Sequence, residues 1–185
     1  MRIAILLTAL MSAFCFGKGQ TQKLNLDTLP KLQGIIPDFQ VRTIDNAPGL
    51  SRDNLKEKAK QAGAKRIVIS FFATTCTSCR AEFTLLGRKT SELEKNGVQI
   101  YLIDVGESIH KLGDKVNEFV KEYAGDSFPF YFDPNGNFLK KLGLVKKNGD
   151  FELPTTVVMD SDLRVLGVLL AVSEDDYPQI LWGEL

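Results

Sequence analysis

A chain of 185 residues that is 44% hydrophobic and 25% charged has the length of one globular domain with room for a real core. Lysine plus arginine and aspartate plus glutamate both number 23, so the formal net charge is zero. That balance excludes a broad basic footprint for nucleic acid or an anionic membrane surface.

The chain opens on Arg2 and an apolar run over residues 3–16, broken only by Thr8 and Ser12. The run is shorter than the roughly 20 apolar residues of a membrane span. It predicts a signal peptide or N-terminal anchor over 1–17, and so an exported protein of the periplasm or another extracytoplasmic space. Gly17 and Gly19 are small enough for cleavage nearby. Cys15 sits where a bacterial lipid-attachment signal ends, but Phe14 occupies the place such a signal gives to a small residue, which argues against lipidation. Residues 18–34, polar and weakly periodic, predict a linker, with the domain over 35–185.

Residues 35–45 predict a strand around Phe39 and Val41, followed by a turn at Asn46-Ala47-Pro48-Gly49. Residues 51–62 are rich in Lys and Glu with Leu55 as an apolar anchor, the pattern of a solvent-facing helix. Residues 66–72 are nearly all apolar and include Ile67, Val68 and Ile69, as in a central strand buried on both faces. A helix over 78–96 follows, with Phe83, Leu86 and Leu93 at helical spacing and Asn96-Gly97 as its end.

A second buried strand covers 98–104, and 109–123 reads as an amphipathic helix through Leu112, Val116, Phe119 and Val120. A strand over 128–132 ends at Asp133-Pro134-Asn135-Gly136, and a short helix covers 138–144. Two strands over 155–159 and 163–171 flank Asp160-Ser161-Asp162 as a hairpin, and a last helix from about 176 packs through Ile180, Leu181 and Trp182. Strands alternating with helices, then a hairpin and a helix, predict an α/β fold with a mixed central sheet flanked by helices.

Between the central strand and its helix stands Cys76-Thr77-Ser78-Cys79. A disulfide across two intervening residues constrains the unfolded chain very little, so the pair is better explained by reactivity than by stapling. Cys76, at the helix start, faces unpaired N–H groups and the positive end of the dipole, which favour its thiolate and place its pKa below the free-cysteine value of about 8.5. Cys76 is the expected nucleophile. Cys79, one turn on, is placed to attack a mixed disulfide at Cys76 and resolve it. A zinc site needs more ligands than the pair and the lone His110 provide, so no metal is expected.

Glu82 follows Cys79 by three residues and neighbours Phe83. On an inward helix face its pKa would rise and it could exchange a proton with Cys79; turned to solvent, it would merely favour the early part of the helix. Pro154, in Glu152-Leu153-Pro154-Thr155, is either an ordinary trans proline at a strand start or a cis proline, which would turn the preceding backbone groups toward an extended peptide. His110 reads as a surface residue near a helix start.

Four stretches in order resemble the thioredoxin superfamily, and more closely its exported TlpA/ResA branch with the CcmG-type cytochrome c maturation proteins. They are Ile36-Pro37-Asp38-Phe39, the run from Ile69 through Cys76-Thr77-Ser78-Cys79 to Phe83, Asp104-Val105-Gly106-Glu107-Ser108, and Leu153-Pro154-Thr155-Thr156. The resemblance implies a thioredoxin-like fold with that branch's extra helix and strand over 106–133. It implies an acidic residue at Glu82 that influences cysteine reactivity, and a cis proline at Pro154 facing the disulfide. Thr75, Leu153 and Pro154 are the expected substrate contacts, and Thr77 and Ser78 the residues that tune the potential. The chain departs from the family in carrying Thr75 and Phe72 where Trp is usual, Ser78 where Pro is frequent, and a longer stretch over 145–151.

The implied function is that of a thiol-disulfide oxidoreductase reducing disulfides in client proteins, apocytochrome c among them. Its Cys76–Cys79 pair would be re-reduced by a membrane thiol donor, with no other cofactor and with a membrane tether if the N-terminal segment is retained. The same CxxC could instead serve a thiol oxidase or isomerase. A Cu(I)-delivery module is the alternative of another class, although copper carriers on this fold tend to add a histidine and only His110 is available. The Pro and Thr that peroxidases of this fold place before their reactive cysteine are absent.

Overall fold

The computed structural model describes residues 22–24, 32–106 and 109–182. Its strands are β1 (Gln22–Leu24), β2 (Gln40–Arg42), β3 (Pro48–Ser51), β4 (Arg66–Phe72), β5 (Val98–Asp104), β6 (Phe130–Phe132), β7 (Thr155–Asp160) and β8 (Val165–Leu170). Its helices are α1 (Arg52–Gln61), α2 (Thr77–Arg88), α3 (Thr90–Lys95), α4 (Ile109–Ala124), α5 (Asn137–Leu142) and α6 (Tyr177–Trp182). The expected leader over 1–17, with Cys15, lies outside the described residues, as do Glu107, Ser108 and the side chains of His110, Leu112, Leu181 and Trp182. Among the described residues, no helix is long and apolar enough to cross a membrane.

The strands form one mixed sheet in the order β1-β8-β7-β4-β5-β6-β2-β3. β4 is central because its side chains alternate into two apolar layers and need cover on both sides. Ile67, Ile69 and Phe71 join the layer that holds Leu55 of α1 and Phe138 of α5. Val68 and Phe72 join the layer that holds Phe83 of α2, Leu93 of α3, Phe119 of α4 and Ile180 of α6. β4 pairs parallel with β5 and antiparallel with β7. The predicted insert is present as α4 and β6, and β6 extends the sheet parallel to β5.

Three elements differ from the sequence expectation. The helix expected over 78–96 divides at Lys89. Gly87 lies so close to α4 that a Cβ there would sit 3.0 Å from the Ala124 carbonyl oxygen, and the Thr90 hydroxyl donates to the carbonyls of Gly87 (3.0 Å) and Leu86 (3.4 Å), competing with the helical ladder. Next, the turn expected at 46–49 is centred earlier, with Thr43 N donating to Ala47 O and Asn46 at φ 62°, so that Pro48–Ser51 is free to form edge strand β3. An edge tolerates proline, and Leu50 brings β3 a fully buried anchor. Within the stretch expected as a linker, Gln22–Leu24 pairs antiparallel with β8 and Leu32 is buried, so the sheet takes in residues ahead of 35.

The turn that closes β6 is held by Asp133, whose carboxylate accepts from the backbone N–H groups of Asn137 (2.9 Å), Phe138 (2.8 Å) and Leu139 (3.4 Å). It acts as the cap that the first turn of α5 otherwise lacks. Asp133→Ala is expected to lower stability by about 1–2 kcal/mol, read as a shift in the urea midpoint at constant slope.

Candidate active site

β4 runs directly into the cysteine pair. After Phe72 the chain turns through residues 73–75, closed by Cys76 N donating to Ala73 O at 3.0 Å, and α2 starts at Thr77 with Cys76 as its N-cap. The Cys76 sulfur takes the place that a Ser or Asp oxygen usually fills, accepting the Cys79 N–H at 3.1 Å. The same N–H would stabilise a Cys76 thiolate. Cys76 and Cys79 form a disulfide. Cys76 is partly exposed while Cys79 is sealed in the core, so an incoming sulfur reaches only the first of the two. Thr75, Thr77 and Ser78 are exposed around it.

Facing the pair is the segment ahead of β7. The Leu153–Pro154 bond is cis, and Pro154 is buried with its carbonyl accepting Ala171 N at 3.1 Å. The Leu153 carbonyl points the other way, toward α2, where the Ser78 hydroxyl donates to it at 3.3 Å. The longer stretch over 145–151 curls into its own turn through Lys146 N and Asp150 O at 2.7 Å, and Lys146 Nζ pairs with Glu152 Oε1 at 2.6 Å beside Leu153.

Glu82 points inward and is 1% exposed. Its Oε1 accepts from Ser70 Oγ and Thr156 Oγ1, each at 2.8 Å, and its Oε2 from the Val172 N–H at 2.9 Å. Ser70 on β4 and Thr156 on β7 are register partners, so their side chains leave the same face and converge on one oxygen. Burial pushes the Glu82 carboxyl above its ordinary value of 4.5, while the three hydrogen bonds pull it back. A groove of about 600 Å³ runs along α2 from Ser78 past Arg80 and Leu85, walled opposite by residues 171–174, with Glu82 at its floor.

Cys76, Cys79, Glu82, Ser78, Leu153 and Pro154 thus meet at one end of the sheet. The side chains of Ser70 and Thr156 and the backbone of Val172 were missing from the sequence reading. Ser70 carries a legible signal, as the one polar residue within the buried run 67–72. Thr156 has no signal beyond its place after Pro154, and the Val172 N–H has none. Among the described residues, no group of three or more His, Cys, Asp or Glu is arranged to hold a metal ion.

A model of the AhpC/TSA family matches residues 33–167. The chain is similar to the thiol-disulfide oxidoreductase ResA of Oceanobacillus iheyensis, 30% identical over 124 residues, which are 63% of this chain and 60% of that protein. It is also similar to the ResA of Bacillus thuringiensis, 27% identical over 111 residues, 60% of this chain and 58% of that protein. The chain therefore spans under two thirds of the length of these relatives. Among solved structures, a secreted disulfide oxidoreductase of Mycobacterium tuberculosis described as homologous to DsbE of E. coli superposes with a TM-score of 0.58 at 18% identity. That match covers 83% of this chain and 98% of the other, and it shows a thioredoxin-like fold.

Proposed function

Given that the chain belongs to the AhpC/TSA family, we propose that it is an exported thiol-disulfide oxidoreductase whose dithiol form reduces disulfides in client proteins. The observation that carries the reading is the accessible Cys76 sulfur at the N-cap of α2, disulfide-bonded to a Cys79 that no client can reach. The names of the ResA relatives support it, and the apolar run over 3–16 together with the secreted neighbour supports export.

In the reduced state the Cys76 thiolate attacks one sulfur of a client disulfide. The Cys76–client bond forms, the client S–S bond breaks and the first client sulfur leaves as a thiolate. Cys79 then gives up its proton and attacks the Cys76 sulfur; the mixed disulfide breaks and the second client sulfur leaves. Two electrons pass to the client, and its two thiolates take up protons. Glu82, one turn after Cys79, is the group proposed to receive the Cys79 proton while ionised, and burial, which raises its affinity for a proton, favours that transfer. A dithiol donor, expected in the membrane, restores the pair by the reverse exchange, so no further cofactor is needed. Apocytochrome c is the proposed client class, through the ResA resemblance.

Charge supports the reducing direction. A disulfide carrier is a strong oxidant when its reduced form is stabilised, and a carboxylate buried beside the pair disfavours a second negative charge on sulfur. Equilibration with a dithiol buffer is expected to place the standard potential in the reducing range of roughly −200 to −270 mV, whereas a value near −120 mV would assign the oxidase or isomerase direction instead.

A further inference from the structure

The Ser78 hydroxyl has one proton and two acceptors. Its oxygen lies 3.3 Å from the Leu153 carbonyl oxygen, to which it donates, and 3.5 Å from the Cys76 sulfur. Ser78 is exposed, so turning that proton from one acceptor to the other needs only rotation about the Cβ–Oγ bond.

Which acceptor wins depends on the charge of the sulfur. In the disulfide, Cys76 Sγ is neutral and a weak acceptor, and the carbonyl keeps the proton. Reduction by a dithiol donor breaks the Cys76–Cys79 bond and oxidises the donor to its disulfide; Cys79 takes a proton and Cys76 is left as a thiolate. A charged acceptor roughly doubles the strength of a hydrogen bond, and this one sits at the same reach as the carbonyl. The backbone carbonyl that precedes Pro154 is the group an extended client strand would use to pair with the site.

We propose that Ser78 is a positioning residue that couples client docking to the redox state of the pair, its hydroxyl covering the Leu153 carbonyl in the disulfide form and turning to the Cys76 thiolate in the dithiol form. The dithiol form therefore offers the client an open acceptor. Once exchange has made the Cys76–Cys79 disulfide, the hydroxyl returns to the carbonyl and competes the reduced client away. The proposal rests on the disulfide-exchange reading above and deepens it.

The test compares wild type, Ser78→Ala and Ser78→Thr in both redox states. The carbonyl 13C resonance of Leu153 in wild type is expected to move upfield on reduction, as a hydrogen bond is lost. In Ser78→Ala it should already be upfield in the disulfide form and move little further. The same variant is expected to raise the pH midpoint of Cys76 ionisation by about one unit, and Ser78→Thr to restore both readings. An extended client-like peptide with Ser in place of Cys should bind reduced wild type roughly fivefold more tightly than oxidised, the worth of about one net hydrogen bond, and the preference should vanish in Ser78→Ala. A Leu153 resonance that shifts equally in wild type and Ser78→Ala, or a peptide with no preference for the reduced state, lack of binding included, overturns the proposal. Failure of the exchange reading would show separately, as a wild-type Cys76 inert toward disulfides, and would leave the resonance and the titration as they are.

Discussion

Cys76→Ser is expected to bring disulfide exchange down to the uncatalysed background, a loss of roughly a thousandfold or more, because it deletes the only sulfur of the pair that solvent reaches. A serine hydroxyl at the same N-cap would still accept the Cys79 N–H, so the fold should survive while the nucleophile is gone. Cys79→Ser should behave differently. The first exchange at Cys76 proceeds, no second thiol follows, and the client stays attached through a mixed disulfide.

Mixing each reduced variant with a disulfide-containing protein and reading intact masses separates the two outcomes. Near-stoichiometric adduct on Cys79→Ser and none on Cys76→Ser is the expected pattern. Adduct on Cys76→Ser would mean that Cys79 is reachable, which its complete burial forbids without local opening. Performed in the native compartment, the same Cys79→Ser trap would identify the client class directly.

The second large effect concerns Glu82. Glu82→Ala removes the shared acceptor of Ser70, Thr156 and the Val172 N–H from a site that is 1% exposed, and opens a cavity where the side chain lay. The two hydroxyls can turn to each other, but the Val172 N–H is fixed. An orphaned donor together with a cavity predicts a loss of about 3 kcal/mol or more. Glu82→Gln should cost far less, since the amide can present its oxygen to Val172 and its nitrogen to the two hydroxyl oxygens.

The pH dependence has a definite sign. Burial, the larger influence, raises the folded Glu82 carboxyl above 4.5. The unfolded chain therefore ionises first, so stability from this group is fully present below that value and is lost as pH rises through the raised folded value. Urea unfolding of wild type and Glu82→Gln across pH 4 to 8 should show wild type losing ground to the variant with rising pH. The opposite slope would mean that the three donors hold the carboxylate ionised more strongly than burial opposes it.

The elements were legible where the pattern is local. The stretch 67–72, apolar but for Ser70, announces a strand covered on both faces, and the cysteine pair at the next helix start announces its own chemistry, because N-cap geometry and the dipole act within one turn. The split of the second helix was not legible. Gly87 and Thr90 are each tolerable inside a helix, and it is the backbone of Ala124, brought close by α2–α4 packing, that makes Gly87 necessary. Edge strand β3 was hidden by a proline and a glycine that read as a turn, and only the buried seat of Leu50 makes a strand of them.

For the site, the sequence by itself determined which residues could carry electrons and which helix would present them. Only the tertiary structure decided that Glu82 turns inward and that the Leu153–Pro154 bond is cis with the Leu153 carbonyl against Ser78. The partners of Glu82 come from positions 12, 74 and 90 residues away, and Ser78 and Leu153 are 75 apart. Helix and strand periodicity places a side chain on a face of its own element, but the donors that meet it there are chosen by strand register and sheet order, which emerge only when distant segments share one core.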